Sequence, residues 1–210
     1  MASSTRTSMK KIAAGFLAAA ALAAVSKQAD AQLAPTTPFS IEVRGGAAIP
    51  TGDFKSNADG DWELKSGWTA GVNAQFQLNP MFGVYAGYSH SSFGVEDEDD
   101  ASVNARGFDA GVRASLPLAA LPLTPFVRGG VVYHDLQLSV ESPNFSITSD
   151  RAFGFEIGGG LEYALGQRMS ITPGVSFTSY TATFSDDLEL FDLDIDVTHV
   201  KVDIGLRIRI

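Results

Sequence analysis

The chain has 210 residues, no cysteine and a formal net charge of −9. The length fits one domain. The missing cysteine excludes disulfides, thiol nucleophiles and cysteine-ligated metals. The acidity excludes nucleic acid as a partner, because phosphate binding wants a basic patch.

Met1 to Lys11 carries Arg6, Lys10 and Lys11 and no acid, and Ile12 to Val25 is an alanine-rich apolar run. That run is shorter than the ~20 residues a spanning helix needs. Ala29-Asp30-Ala31 then offers small residues where a signal peptidase reads. Residues 1–31 are therefore expected to be a cleaved signal peptide, with Gln32 first in the mature chain. Removing Arg6, Lys10, Lys11, Lys27 and Asp30 takes the net charge from −9 to −12. No other apolar run reaches spanning length, which excludes a helical membrane protein.

Residues 32–38, with Pro35 and Pro38, read as a short periplasmic leader. Period-two alternation fills residues 39–210 and predicts eight strands: Phe39–Ile49, Leu64–Leu78, Phe82–Phe93, Arg106–Leu118, Pro125–Val140, Ala152–Leu165, Met169–Phe184 and Val197–Ile210. The last is the clearest: Val200, Val202, Ile204, Leu206 and Ile208 oppose His199, Lys201, Asp203, Gly205, Arg207 and Arg209. The fifth and seventh alternate less cleanly. Pro173, on the apolar face of the seventh, predicts a bulge or a strand start.

The connections alternate in length. Asn79-Pro80-Met81, Ala119–Thr124 and Gly166-Gln167-Arg168 are short, whereas Pro50–Glu63, Gly94–Ala105, Glu141–Arg151 and Ser185–Asp196 are long. In an up-and-down meander all the long ones fall at one end, as in outer-membrane barrels. They also carry most of the acid, including Glu96-Asp97-Glu98-Asp99-Asp100 and Asp192, Asp194 and Asp196.

Alternation alone leaves open whether the apolar face points inward, as in a soluble lipocalin-type barrel, or outward to lipid. The polar face decides for lipid. It is mostly Gly, Ser, Thr, Asn and Gln, unlike a water-facing surface rich in Lys, Glu and Asp. Its charges nearly balance: Arg44, Arg113, Arg128, Lys201, Arg207 and Arg209 against Glu42, Asp109, Glu156, Glu162 and Asp203. A packed lumen requires such balance, since a buried charge must be paired. Aromatics close the apolar face at both ends: Phe39, Phe76, Phe82 and Tyr163 at the short-turn end, and Trp68, Tyr88, Phe108, Tyr133, Phe155 and Phe184 at the other.

Pro38-Phe39-Ser40-Ile41-Glu42-Val43-Arg44-Gly45-Gly46, Tyr85-Ala86-Gly87-Tyr88 and Pro125-Phe126-Val127-Arg128-Gly129-Gly130 resemble the strand motifs of small outer-membrane barrel domains of the OmpA/OmpX type. The resemblance spans residues 39–210 and implies an all-β, eight-stranded, antiparallel up-and-down transmembrane barrel. It leaves no segment for a peptidoglycan-binding domain. It also implies a final aromatic residue read by the barrel-assembly machinery, where this chain has Ile210.

Catalytic patterns are sparse. His90 and Ser92 share a face and resemble part of the active site of outer-membrane lipid A deacylases, but no acid is placed to join them. His134-Asp135 and His199 resemble the acid–histidine pairs of outer-membrane proteases, yet adjacent strand residues point to opposite faces. Asp192, Asp194 and Asp196, with Asp186, Asp187 and Glu189 nearby, predict loose divalent-cation binding, and the loop lacks the glycine and terminal glutamate of an EF-hand. Gly158-Gly159-Gly160 leads into more strand, so it reads as close strand packing.

The sequence thus predicts a monomeric, non-enzymatic outer-membrane barrel without cofactor. Lipid, lipopolysaccharide and the assembly machinery are its partners, and its acidic external loops give it a structural or surface-interaction role. A small pore and a lipid-modifying enzyme are the alternatives. Intact-mass measurement on protein from the cell envelope is expected to find Gln32 at the N-terminus; retention of residues 1–31 would contradict export.

Overall fold

The computed structural model describes residues 38–56, 63–96, 98–118, 123–140, 145–185 and 192–210. The expected signal peptide, and the expected leader up to Thr37, lie outside the described residues. The strands are β1 (Phe39–Pro50), β2 (Gly67–Gln77), β3 (Phe82–Val95), β4 (Glu98–Ser115), β5 (Leu123–Val140), β6 (Phe145–Thr148), β7 (Ala152–Ala164), β8 (Met169–Ser185) and β9 (Asp192–Arg209). Strands consecutive in the chain pair antiparallel, except that β6 and β7 both pair with β5, and β1 pairs with β9, so the sheet closes on itself. β6 and β7 lie end to end along β5, on its Gln137–Val140 and Leu123–His134 segments respectively. They fill one wall position, and the barrel is eight-stranded.

The break between β6 and β7 is a bulge. Gln137 pairs with Thr148 and His134 with Ala152, so the β6–β7 side carries one extra residue. Ser149 fills the gap: its Oγ accepts the Leu136 N–H at 2.9 Å and its own N–H donates to the Leu136 carbonyl at 2.8 Å. Pro173 causes no bulge and starts no strand. β8 passes through it, and the β7–β8 register is the same on either side, from Gly160↔Gly174 to Tyr163↔Ile171. Its missing N–H costs only a local gap in the ladder.

At the short-turn end, Asn79 Oδ1 accepts the N–H groups of Met81 and Phe82, both at 2.9 Å. This side-chain turn holds β2 against β3. At the other end several strands outrun the predicted ones. β4, β5 and β9 have 18 residues each, well past the ~9–11 needed to cross a membrane obliquely. Segments read as loops, such as Ser102–Ala105 and Asp192–Asp196, are continuations of the wall.

Counted from the short-turn end, the outward positions are apolar or glycine on every strand of the ring. The first polar ones are His90 on β3, Arg106 on β4, Asp135 on β5, Arg151 before β7, Ser179 on β8 and Thr198 on β9. Below them lie exposed residues such as Val112, Val127, Val131, Ile157, Val175 and Ile204. An apolar belt on a closed wall, with its backbone groups paired, is what a bilayer demands.

Above that boundary the faces exchange character. Inward side chains there form an apolar plug of Ala48, Phe54, Leu64, Phe93, Val103, Ala105, Val132, Leu136, Ala182, Phe184 and Val197, with the Tyr180 ring. Phe184 therefore does not belong to the outer aromatic girdle; it points inward because β8 has left the lipid by then. Phe54 reaches the plug from the loop after β1, where Gly52, at φ 59°, turns the chain back over the barrel mouth. Its ring meets Phe93 edge-on at 5.3 Å.

Leu161, outward on β7 among Ile157 and Tyr163, tests the lipid side. Leu161→Arg is expected to destabilise the folded barrel, by about 2–4 kcal/mol for a position near the midplane and by less toward the interface, measured by reversible denaturant unfolding in lipid vesicles. An unchanged stability would contradict a lipid-facing Leu161.

Candidate functional site

Alternation turns Glu42 and Arg44 (β1), Asp109 and Arg113 (β4), Arg128 (β5), Glu156 and Glu162 (β7), and Lys201, Asp203, Arg207 and Arg209 (β9) into the lumen. All are buried except Arg209, which lies near the short-turn opening with 27% of its side chain exposed. Ion pairs gather them into clusters at two levels, except Asp109, which meets His134 instead. Nearer the short turns, Glu42 meets Arg44 at 3.2 Å, Arg207 at 2.8 Å and Arg113 at 3.6 Å. Glu162 meets Arg113 at 2.7 Å, Arg207 at 2.9 Å and also Arg209. Further up, Glu156 pairs with Arg128 at 2.7 Å and with Lys201, while Asp203 pairs with Arg44.

Several of these contacts cross the lumen rather than follow its wall. Arg113 on β4 reaches Glu42 on β1 across β2 and β3, and Lys201 on β9 reaches Glu156 on β7 across β8. Glycines make room for them. A Cβ on Gly205 would lie 2.2 Å from Thr172 Oγ1 and 3.1 Å from Glu42, and one on Gly111 would lie 2.8 Å from the Tyr85 hydroxyl. The Arg113 guanidinium stacks 3.6 Å from the Phe126 ring centre, which adds a cation–π contact to its ion pairs. A cavity bounded by Arg44, Asn73, Asp109, Arg128, Glu156 and Lys201 leaves ≈ 20 Å³ open to the centre of a water molecule, room for about one.

The histidines do not assemble a catalytic relay. His134 points inward, where the same Nε2 meets Asp109 Oδ1 at 2.9 Å and Ser89 Oγ at 3.5 Å. A serine–histidine–acid relay engages both ring nitrogens, and here Nδ1 has no hydrogen-bond partner among the described residues. Asp135 points to the outer face, away from His134. His199 is buried beneath the plug, edge-on to Phe93 at 5.5 Å. His90 is on the outer face, where it stacks on Trp68 at 5.0 Å and lies beside Arg106 in the β3–β4 register. Ser92 shares that face, and no carboxylate hydrogen-bonds to either residue among the described ones.

Among the described residues no group of His, Asp and Glu is arranged to hold a metal ion. Asp194 and Asp196 instead accept hydrogen bonds from Thr183 and Thr181, each at 2.8 Å. Asp186, Asp187 and Glu189 lie outside the described residues. Gly158 and Gly160 sit where a Cβ would collide with β8, within 2.6 Å and 2.2 Å of Ser176 and the Pro173 carbonyl. That close approach accounts for the glycine run.

Two features escape sequence reading. One is the plug. Its signal is the inward column Val132, Leu136, Leu138 and Val140 on β5, which blurs the alternation there. The other is an outer ion triplet, with Asp135 held by Arg106 Nε at 3.0 Å and by Arg151 Nε at 3.1 Å. Arg151 reads as a loop residue in sequence, and the bulge ending at Ala152 carries it beside Asp135.

The structure is similar to that of Neisserial surface protein A, with a TM-score of 0.62 and 10% identity over 83% of this chain and 98% of that one. It is also similar to OprG of Pseudomonas aeruginosa (TM-score 0.52, 12% identity, 83% and 98% covered). A third is a major outer-membrane protein of Thermus thermophilus (0.51, 17%, 82% and 99%). At such identities the likeness establishes the fold. No protein of curated function matches the chain. The profile described as outer membrane protein beta-barrel domain matches residues 15–207. The chain is thus an outer-membrane β-barrel protein and belongs to that family.

Proposed function

We propose that the chain is a non-catalytic, monomeric outer-membrane barrel with a closed lumen, serving as an anchor that displays acidic loops at the cell surface. The ion-pair network that crosses the lumen carries this reading. An eight-stranded barrel is only just wide enough for its own side chains. Here guanidinium and carboxylate groups from β1, β4, β7 and β9 meet across that width. A solute would have to separate them, and leaving a buried charge unpaired costs about 3–5 kcal/mol. The plug adds a second, dry barrier on the long-loop side. A wall closed through β1–β9 and β4–β5 leaves no transmembrane edge to pair with another copy.

The acidic residues of the long-loop end supply the surface character. Glu96, Asp194 and Asp196 are described in the structure, and the sequence adds many others to the same end. A dense negative crown selects partners by charge, favouring cationic ones and repelling anionic ones.

Planar-bilayer recording tests the closed lumen. The unmodified protein is expected to show no stable, solute-passing conductance. Joint replacement of Arg207 and Glu156 by alanine is expected to raise brief ion leakage, because it removes cross-lumen contacts from both clusters. Well-resolved, long-lived channels from the unmodified protein would overturn the closed-lumen reading in favour of a pore.

A further inference from the structure

The outer ion triplet occupies a defined level on the wall. In the sheet register Tyr88 pairs with Phe108, Phe108 with Tyr133, and Tyr133 with Phe153. The rings of this row meet in two pairs, Tyr88–Phe108 at 5.5 Å and Tyr133–Phe153 at 4.6 Å. One step further toward the long loops, His90 pairs with Arg106 and Arg106 with Asp135, and Arg151 stands beside Asp135. Aromatic rings mark the headgroup edge of a bilayer. The triplet is therefore at the headgroups of the leaflet on the long-loop side.

Its charge is not balanced. Asp135, 4% exposed, presents one carboxylate to two guanidinium groups, and each arginine uses only its Nε for that contact. Among the described residues the Nη groups of Arg106 and Arg151 have no hydrogen-bonding protein partner, and both side chains keep more than a third of their surface open. The Arg151 guanidinium is steadied 5.6 Å from the Phe108 ring and 5.9 Å from the Tyr133 ring. Such bases are scarce. Beyond the six in the lumen, the chain from Gln32 onward has only Lys55, Lys65, Arg106, Arg151 and Arg168. Lys55 is neutralised by Glu63 at 2.9 Å.

We propose that Arg106 and Arg151 form a binding site for the phosphate groups of lipopolysaccharide in the outer leaflet, with Asp135 positioning both forks. Free Nη pairs are suited to bidentate contact with phosphate oxygens. A net positive site favours a phosphomonoester, which carries close to two negative charges at neutral pH, over the single charge of a phospholipid diester. The long-loop end faces outward in this family of folds, so the leaflet in reach is the glycolipid one. The site requires the outer-membrane location and not the closed lumen, so a conducting barrel would leave it standing.

The test uses the full chain, refolded in detergent, and native mass spectrometry with three probes: bis-phosphorylated lipid A, lipid A stripped of phosphate, and phosphatidylglycerol. The bis-phosphorylated probe is expected to bind at least tenfold more tightly than either of the others. Arg106→Gln with Arg151→Gln is expected to abolish that preference, in protein that still shifts on SDS gels between boiled and unboiled samples. Asp135→Asn, which frees both forks, is expected to keep it. Equal binding of phosphorylated and stripped lipid A by the unmodified protein would overturn the proposal, a result that needs no variant to fold. So would a preference unchanged by the double substitution. Phosphatidylglycerol binding as tightly as lipid A would also overturn it, assigning the arginines to phospholipid.

Discussion

Hydrocarbon offers no hydrogen-bond partner, and the layout of this wall follows from that. Every backbone N–H and C=O within the lipid must be satisfied by the chain, so the sheet closes through β1–β9 and β4–β5. Side chains alternate, so making the outer column apolar sends every polar one inward. Those inward groups then have only each other. Glu42 is touched by Arg44, Arg113 and Arg207, and Glu162 by Arg113, Arg207 and Arg209. Each shared carboxylate ties strands that are not neighbours. Removing one arginine strands part of a buried network, and this is why the cluster acts as a unit rather than as separate pairs.

Where the wall leaves the lipid the constraint reverses. Water satisfies polar groups on the outside, and the inside is driven dry. β5 shows both regimes in one strand. Its outward column runs Val127, Val131, Tyr133 and then Asp135 and Gln137. Its inward column runs Arg128, Val132, His134 and then Leu136 and Leu138. The arginines at Arg106 and Arg151 and the plug beginning at Val132 are thus two faces of one boundary. The bulge at Ser149–Arg151 lies at that boundary too, and bulges commonly re-aim a side chain.

The closed barrel was legible because its cause is local and periodic. Val200 to Ile208 on β9, or Trp68 to Phe76 on β2, need only alternate for the fold to follow. The lumen charges were legible as a set, since Glu42, Arg113 and Arg207 fall on the polar face of their strands. Their partners were not, because Arg113 and Glu42 meet across the barrel and no sequence spacing encodes that distance. The exchange of faces was hidden for another reason. A strand that is apolar outside below and apolar inside above reads simply as poorly alternating, as β5 and β8 did. Phe184 was misplaced on those grounds, and Ser102–Ala105 read as loop because its apolar residues sit on the face opposite to those below. Pro173 misled in the other direction, since the ladder tolerates one missing N–H without a shift of register.

The boundary itself is open to direct measurement. The chain has no cysteine, so single cysteines carrying spin labels can be placed along β5 in the protein reconstituted into bilayers. Labels at Val127, Val131 and Tyr133 are expected to be relaxed by oxygen dissolved in lipid and not by a water-soluble paramagnet. Labels at Gln137 and Ser139 are expected to show the opposite, and those at Val132 and Leu136 protection from both. Oxygen access at Leu136, or lipid-like behaviour continuing unbroken through Gln137 and Ser139, would contradict an exchange of faces at Asp135.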